Sequence, residues 1–173
     1  MICRTLTSGR GIPCIIGAAG IKAVSFSEYG ENLIISSNGT VNSFAPGLTA
    51  SYRYLVKPSG NSYSEKVITE NRNRLYSGTL NIVLHRLDIA TRNEVNNLIA
   101  KELIVFIEDF NGNIYCVGFG NGAVVTDGEF ATGDAKSDFY GTKLTLTTDE
   151  VEPYLTLGAT AATAYKALVV NGL

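Results

Sequence analysis

A chain of 173 residues with 45% hydrophobic and 17% charged residues has the size of one domain and enough apolar material for a core without staples. That balance excludes a disordered polymer and a membrane-spanning chain. A formal net charge of −2 lacks the basic footprint that phosphate binding requires. The charged fraction is low for a free monomer, and the many Ser, Thr, Asn and Gly residues suit a surface largely covered by partners.

Residues 1–20 are Gly-rich and read as an N-terminal arm. Pro13 and two glycines break the apolar patch from Ile12 to Ala19, so a secretory leader is not expected. The glycines lack a following Gly-Lys-Ser/Thr and lack the GxGxxG pattern, so a phosphate cradle is not expected either. Cys3, Cys14 and Cys116 make an odd count, with ten residues between the first two. That spacing is wrong for a zinc finger, and buried free thiols are the expectation.

Ile21 to Phe26 alternates with apolar residues on both faces, which predicts a strand near a sheet centre. Leu33–Ile35 and Val41 flank Asn38-Gly39, a pair that tolerates φ > 0 and predicts a hairpin. Ser51–Lys57 reads as a strand, and Pro58–Asn61 as a turn. Ser62–Asn71 alternates without a strongly apolar face and reads as an exposed or partner-facing ribbon. Glu65 and Glu70 are five apart, hence on opposite strand faces, and would not converge as a glycosidase pair.

The clearest block runs from Tyr76 to Phe119. Leu80, Ile82 and Leu84 at period two predict a half-buried strand. The sole histidine, His85, has no Ser, Cys or carboxylate motif beside it and reads as a surface or packing residue. Asp88 is a strong N-cap for a helix predicted over 89–101, with an apolar stripe of Ile89, Val95, Leu98, Ile99 and Leu103. Leu103–Glu108 is apolar on both faces and predicts a central strand. Asn111-Gly112 is the expected two-residue turn into the returning strand at 113–119. Residues 126–141 read as a Gly/Asp-rich loop before a closing strand at Lys143–Thr147. Asp127, Glu129, Asp134 and Asp138 do not meet the EF-hand pattern and read as turn formers.

The order of these features carries a resemblance. An Asp-capped helix leads to an apolar strand ending Glu108-Asp109, an Asn-Gly turn, and a return strand with Tyr115 and Gly118. A loop with Gly133-Asp134 follows, then Asp138-x-x-Gly141-x-x-Leu144-Thr145-Leu146-Thr147, Glu150 and Glu152-Pro153. Near the start, two cysteines precede Gly20-Ile21-Lys22. From Cys3 to Pro153 the chain resembles the small structural proteins of tailed bacteriophages, notably crAss-like and related phages, of the tail-tube and neck-ring type. The resemblance implies a mainly β (α+β) fold: an antiparallel β-sandwich or curled barrel over 21–153 with one flanking α-helix, tail-tube-like. It implies a homo-oligomeric ring around a DNA channel, with portal, tail or neck proteins as partners. It implies a virion protein assembled in the host cytoplasm, with no membrane partner. No catalytic, cofactor-binding or metal residues are expected, and no cofactor. A capsid-decorating or fibre-anchoring protein is the nearest alternative. A carbohydrate-binding module or hydrolase is the other, with Tyr52, Tyr54 and Tyr63 as its aromatic platform. Residues 154–173 extend beyond the resemblance and read as a C-terminal arm, or as a final helix over Ala159–Leu168.

Overall fold

The computed structural model describes residues 17–71, 73–85 and 88–171. Cys3, Cys14 and most of the expected N-terminal arm lie outside the described residues. In chain order the elements are β1 (Ile21–Glu28), β2 (Ile34–Ser37), β3 (Thr40–Phe44), β4 (Ser51–Leu55), β5 (Ser62–Glu70), β6 (Asn73–His85), α1 (Ile89–Ile99), β7 (Leu103–Asp109), β8 (Ile114–Val117), β9 (Ala123–Ala131), β10 (Gly141–Glu150), β11 (Leu155–Leu157), α2 (Ala159–Leu168) and β12 (Val169–Asn171).

Strand β7 is apolar on both faces, and each face supplies a separate core. Leu103, Val105 and Ile107 enter a cluster with Val24 and Phe26 of β1, Leu80, Ile82 and Leu84 of β6, and Leu144 and Leu146 of β10. Val95 and Leu98 of α1 belong to the same cluster. Ile104 and Phe106 enter the second, with Val41, Cys116, Leu155, and Ala161 and Tyr165 of α2. Helix α2 thus covers the face of β7 opposite the larger core. The Tyr165 hydroxyl donates to Ser25 Oγ of β1 at 2.6 Å in a buried setting, as a buried polar pair must.

The strands form one mixed sheet in the order β2-β3-β11-β8-β7-β9-β10-β6-β5, with β1 joined to β7 and β4, and β12 joined to β4. The sheet is not closed into a barrel, which corrects that half of the expectation: β2 and β5 are ends of the path with no strand beyond them. The pairing is not purely antiparallel either. The C-terminal segment returns β11 parallel to β3 and β12 parallel to β4, and helix α2 spans 159–168 between them, as the second reading of that segment had it.

Local chemistry explains most elements. Asn38 and Gly39 both have positive φ, 51° and 77°, and they close the β2–β3 hairpin as expected. Asp88 caps α1 by accepting from Thr91 N at 2.8 Å. That helix ends at Ile99 rather than at 101, because the chain must turn for Leu103 to enter the core. The turn after β7 differs from the two-residue form: only Gly112 is left-handed (φ 85°). Asp109 organises it, its carboxylate accepting from the backbone N–H of Asn111 (2.9 Å) and Asn113 (2.7 Å). Burial raises the Asp109 pKa, but hydrogen bonds from the Asn113 side chain and backbone and from the Asn111 and Tyr115 side chains outweigh it and hold the carboxyl below its usual value. The expected loop at 126–141 is shorter than predicted, because β9 occupies its first half and pairs with β10 from Ala123 to Ala131.

One corner hands the chain from one part of the sheet to the other. Strands β8 and β9 both run antiparallel to β7, β8 beside 105–108 and β9 at Leu103 alone. The five residues between them bulge outward, and β9 then leaves β7 to join β10. Gly118 begins the bulge with φ 71°, and a Cβ there would lie 2.7 Å from Leu103 O and 2.8 Å from Ala123 N. Neither backbone atom can retreat without breaking the sheet. Gly118→Ala is therefore expected to destabilise the fold by about 2 kcal/mol or more, read from urea unfolding. Gly39→Ala has open space at its Cβ and is expected to cost less, through φ alone.

Candidate functional site

Two surface features stand out, an apolar groove and a projecting ribbon with two exposed aliphatic residues. The first is a groove between α1 and the β9–β10 pair. Its cavity measures about 590 Å³ and is floored by Val95, Leu144 and Thr142, all buried. Its walls carry large side chains left in solvent: Ile89 is 81% exposed, Phe130 60% and Ile99 49%. Phe130 and Tyr140 meet edge to face with ring centroids 6.1 Å apart. The helix stripe read from the sequence is thus only half used. Val95 and Leu98 reach the core, whereas Ile89 and Ile99 line the groove.

The backbone contributes to the groove as well. Strand β9 pairs with β10 on one side, but on the other, among the described residues, only Ala123 has a strand partner, Leu103. Gly128 lies in the lining with a φ that is not left-handed, so space rather than conformation distinguishes the position. A Cβ there would press to 3.2 Å from the tip of Leu144, which would have to shift, and would lie 3.9 Å from Lys143 O. Polar groups ring the rim. Asp88 is engaged as the helix cap, and Glu129 pairs with Lys143 at 3.4 Å. Arg92 makes no side-chain hydrogen bond or ion pair with another described residue.

The second feature is the β5–β6 ribbon. Strand β10 covers β6 only from Tyr76 to His85, whereas β5 pairs with β6 out to Glu70 and Asn73. The end of the ribbon therefore projects past the sheet with both of its edges unpaired. Val67 is 58% exposed and Ile68 42%. This matches the exposed ribbon read from the sequence.

The other residues singled out from the sequence are dispersed. Asp127 accepts from Gly128 N at 2.9 Å, and Asp138 accepts from Asp134 N and Ala135 N at 3.0 and 2.8 Å. Asp138 is thus a turn former, and these bonds lower its pKa. Among the described residues no cluster of His, Cys, Asp and Glu is placed to hold a metal ion. Glu65 accepts from Tyr63 Oη and Tyr154 N, both at 3.0 Å, while Glu70 sits at the far end of the ribbon. Tyr54 packs edge-on against Phe26 at 5.4 Å, and Tyr63 packs on the same core, so with Tyr52 they form no common platform. His85 is exposed and meets the Phe139 ring at 5.2 Å. Cys116 is free and fully buried, and burial pushes its thiol pKa far up, as expected of an inert core thiol.

Comparison with protein-family models, with curated proteins and with solved structures returned no match.

A buried carboxylate ties the corner loop to the end of β10. Glu150, 5% exposed, accepts through Oε1 from Gly120 N at 3.0 Å and Asn121 N at 3.2 Å. Tyr29 Oη donates to Gly120 O from the other side. Burial raises the Glu150 pKa and outweighs these two bonds, with nearby Glu65 and Asp149 adding to the rise. A raised folded-state pKa means that the stability linked to this group is present below its unfolded value and is lost as pH rises through the folded value. Glu150→Gln keeps the accepting oxygen and removes the charge. It is expected to match or exceed the wild type in stability at pH 7. The difference should shrink as pH falls towards the ordinary carboxylate range. Glu150→Ala leaves two N–H groups without their acceptor and is expected to cost on the order of 1–3 kcal/mol. Chemical denaturation from pH 4.5 to 8 checks all three.

Proposed function

We propose that this chain is a virion structural protein, a tail-tube-like or head–tail connector ring subunit that self-assembles around a DNA channel. The observation that supports this reading is the projecting β5–β6 ribbon. A two-stranded ribbon is marginal in water by itself. A free edge with exposed Val67 and Ile68 invites pairing with another chain. Such a feature suits a subunit whose surfaces are completed by neighbours, and it agrees with the low charged fraction. On this reading the two parts of the sheet that share the larger core act as a tail-tube-like sandwich. The double-sided burial of β7 supplies a rigid body, and the ribbon makes the contact. Portal, tail or neck proteins would cap the assembled ring, and the near-neutral charge would let DNA pass without sticking.

Light scattering and negative-stain imaging of the purified chain test the reading. Closed rings, or masses at integer multiples of the 18.5 kDa chain, are expected as concentration rises. A chain that stays monomeric at every concentration and forms no rings contradicts it. A shortened variant sharpens the test. Val67 and Tyr76 are directly paired, so replacing residues 68–75 by Asn-Gly leaves a favoured two-residue turn. The shortened chain is expected to keep its thermal midpoint within a few degrees and to remain monomeric.

A further inference from the structure

We propose that the apolar groove between α1 and the β9–β10 pair is the receptor for the projecting ribbon of a second copy of this chain. The inference rests on the assembly reading above and names the two surfaces that meet.

The two surfaces match in apolar character and at one charge pair, Glu70 and Arg92. Ile68 and Leu75 are a direct cross-strand pair lying beyond the last residue pair that β10 makes with β6. Their shared face therefore projects clear of the sheet. Glu70 is two residues from Ile68, on the same side of the strand. The ribbon end thus presents an apolar pair flanked on the same strand face by Lys66 and Glu70, with the carboxylate at the outer end. The groove presents the counterpart: an apolar floor at Val95 and Leu144, exposed walls at Ile99 and Phe130, and Arg92 at the rim with no ionic partner among the described residues. Its volume of about 590 Å³ falls in the range of sites that enclose a compact apolar group. Gly128 leaves room for the Leu144 side chain that lines the groove, and a larger side chain there would crowd it. The outer edge of β9 beyond Ala123 has no strand partner, so main-chain bonds can accompany the side-chain contacts.

The contact must be between copies. Strands β9 and β5 stand three positions apart in the sheet order β9-β10-β6-β5, about 14 Å at ~4.8 Å per strand. Along the strands, Leu144 pairs with Ile82, and Leu75 lies seven residues nearer the ribbon end, about 23 Å at ~3.3 Å per residue. Ribbon and groove thus occupy opposite edges and opposite ends of the same four strands. Two unlike patches meeting head to tail propagate from copy to copy, closing into a ring when the rotation allows.

A head-to-tail contact permits a complementation test. Ile68→Asp disables the ribbon and leaves the groove intact. Gly128→Leu fills the groove and leaves the ribbon intact. Each variant alone is expected to be monomeric under conditions where the wild type assembles. Mixed in equal amounts, they are expected to form a dimer and stop there, because each dimer retains one disabled ribbon and one filled groove. Circular dichroism and thermal unfolding establish that both variants fold. Should Gly128→Leu fail to fold, Ile99→Asp on the exposed wall serves in its place. If the wild type assembles but the groove variants assemble equally well, the groove is not the receptor, while the assembly reading stands. If the folded variants are each monomeric but the mixture stays monomeric too, the pairing of these two patches is wrong. If the wild type never assembles, the assembly reading falls and this inference falls with it.

Discussion

The burial of β7 on both faces is the constraint on which the rest of the structure depends. Leu103, Val105 and Ile107 on one side and Ile104 and Phe106 on the other are each at most 2% exposed. A strand of that kind needs cover on both faces. The larger core and α1 provide one cover, and α2 with the β2–β3 hairpin and β11 provides the other. Truncating a buried residue the size of Phe106 typically costs about 3–5 kcal/mol. Exposed ion pairs such as Lys101–Glu28 and Lys143–Glu129 are worth about 0–1 kcal/mol each. Packing around β7 therefore decides the fold, and surface charge does not.

The same constraint explains where unburied apolar surface remains. Helix α1 reaches the larger core through Val95 and Leu98 only, so Ile89 and Ile99 are left facing the groove. The ribbon runs past the end of β10 and leaves Ile68 exposed there, while Val67 is exposed at the last pair that β10 covers. Both surfaces lie on the four strands β9-β10-β6-β5, away from β7. A rigid centre with two unlike exposed patches at its periphery would suit the head-to-tail contact proposed above.

Much of this was legible in the amino-acid sequence, because several elements follow from local chemistry. The Asp88 cap, the Asn38-Gly39 turn, the two-faced apolar run at 103–107 and the exposed ribbon each depend on residues close in the chain. Strand β9 was not legible. Asp127, Gly128 and Glu129 are turn-forming or strand-depleted residue types, and only backbone pairing with β10 makes them a strand. The open barrel was equally hidden, since closure depends on how far the sheet curls. The groove needs α1 to lie beside β9, an arrangement that no local pattern encodes. The corner anchor needs Glu150 to meet Gly120, thirty residues away, and nothing near Glu150 in the chain points to that partner.

On the proposed reading, neighbours complete the β7-centred body at the ribbon and the groove. Hydrogen–deuterium exchange compared between dilute and concentrated protein tests it most directly. The account predicts that amides of β7 exchange slowly and equally in both samples. Amides near the ribbon end at 67–70 and along the outer edge of β9 at 124–131 should gain protection together as the protein is concentrated. Unchanged exchange at both patches in an assembled sample, or new protection confined to other surfaces, would contradict it.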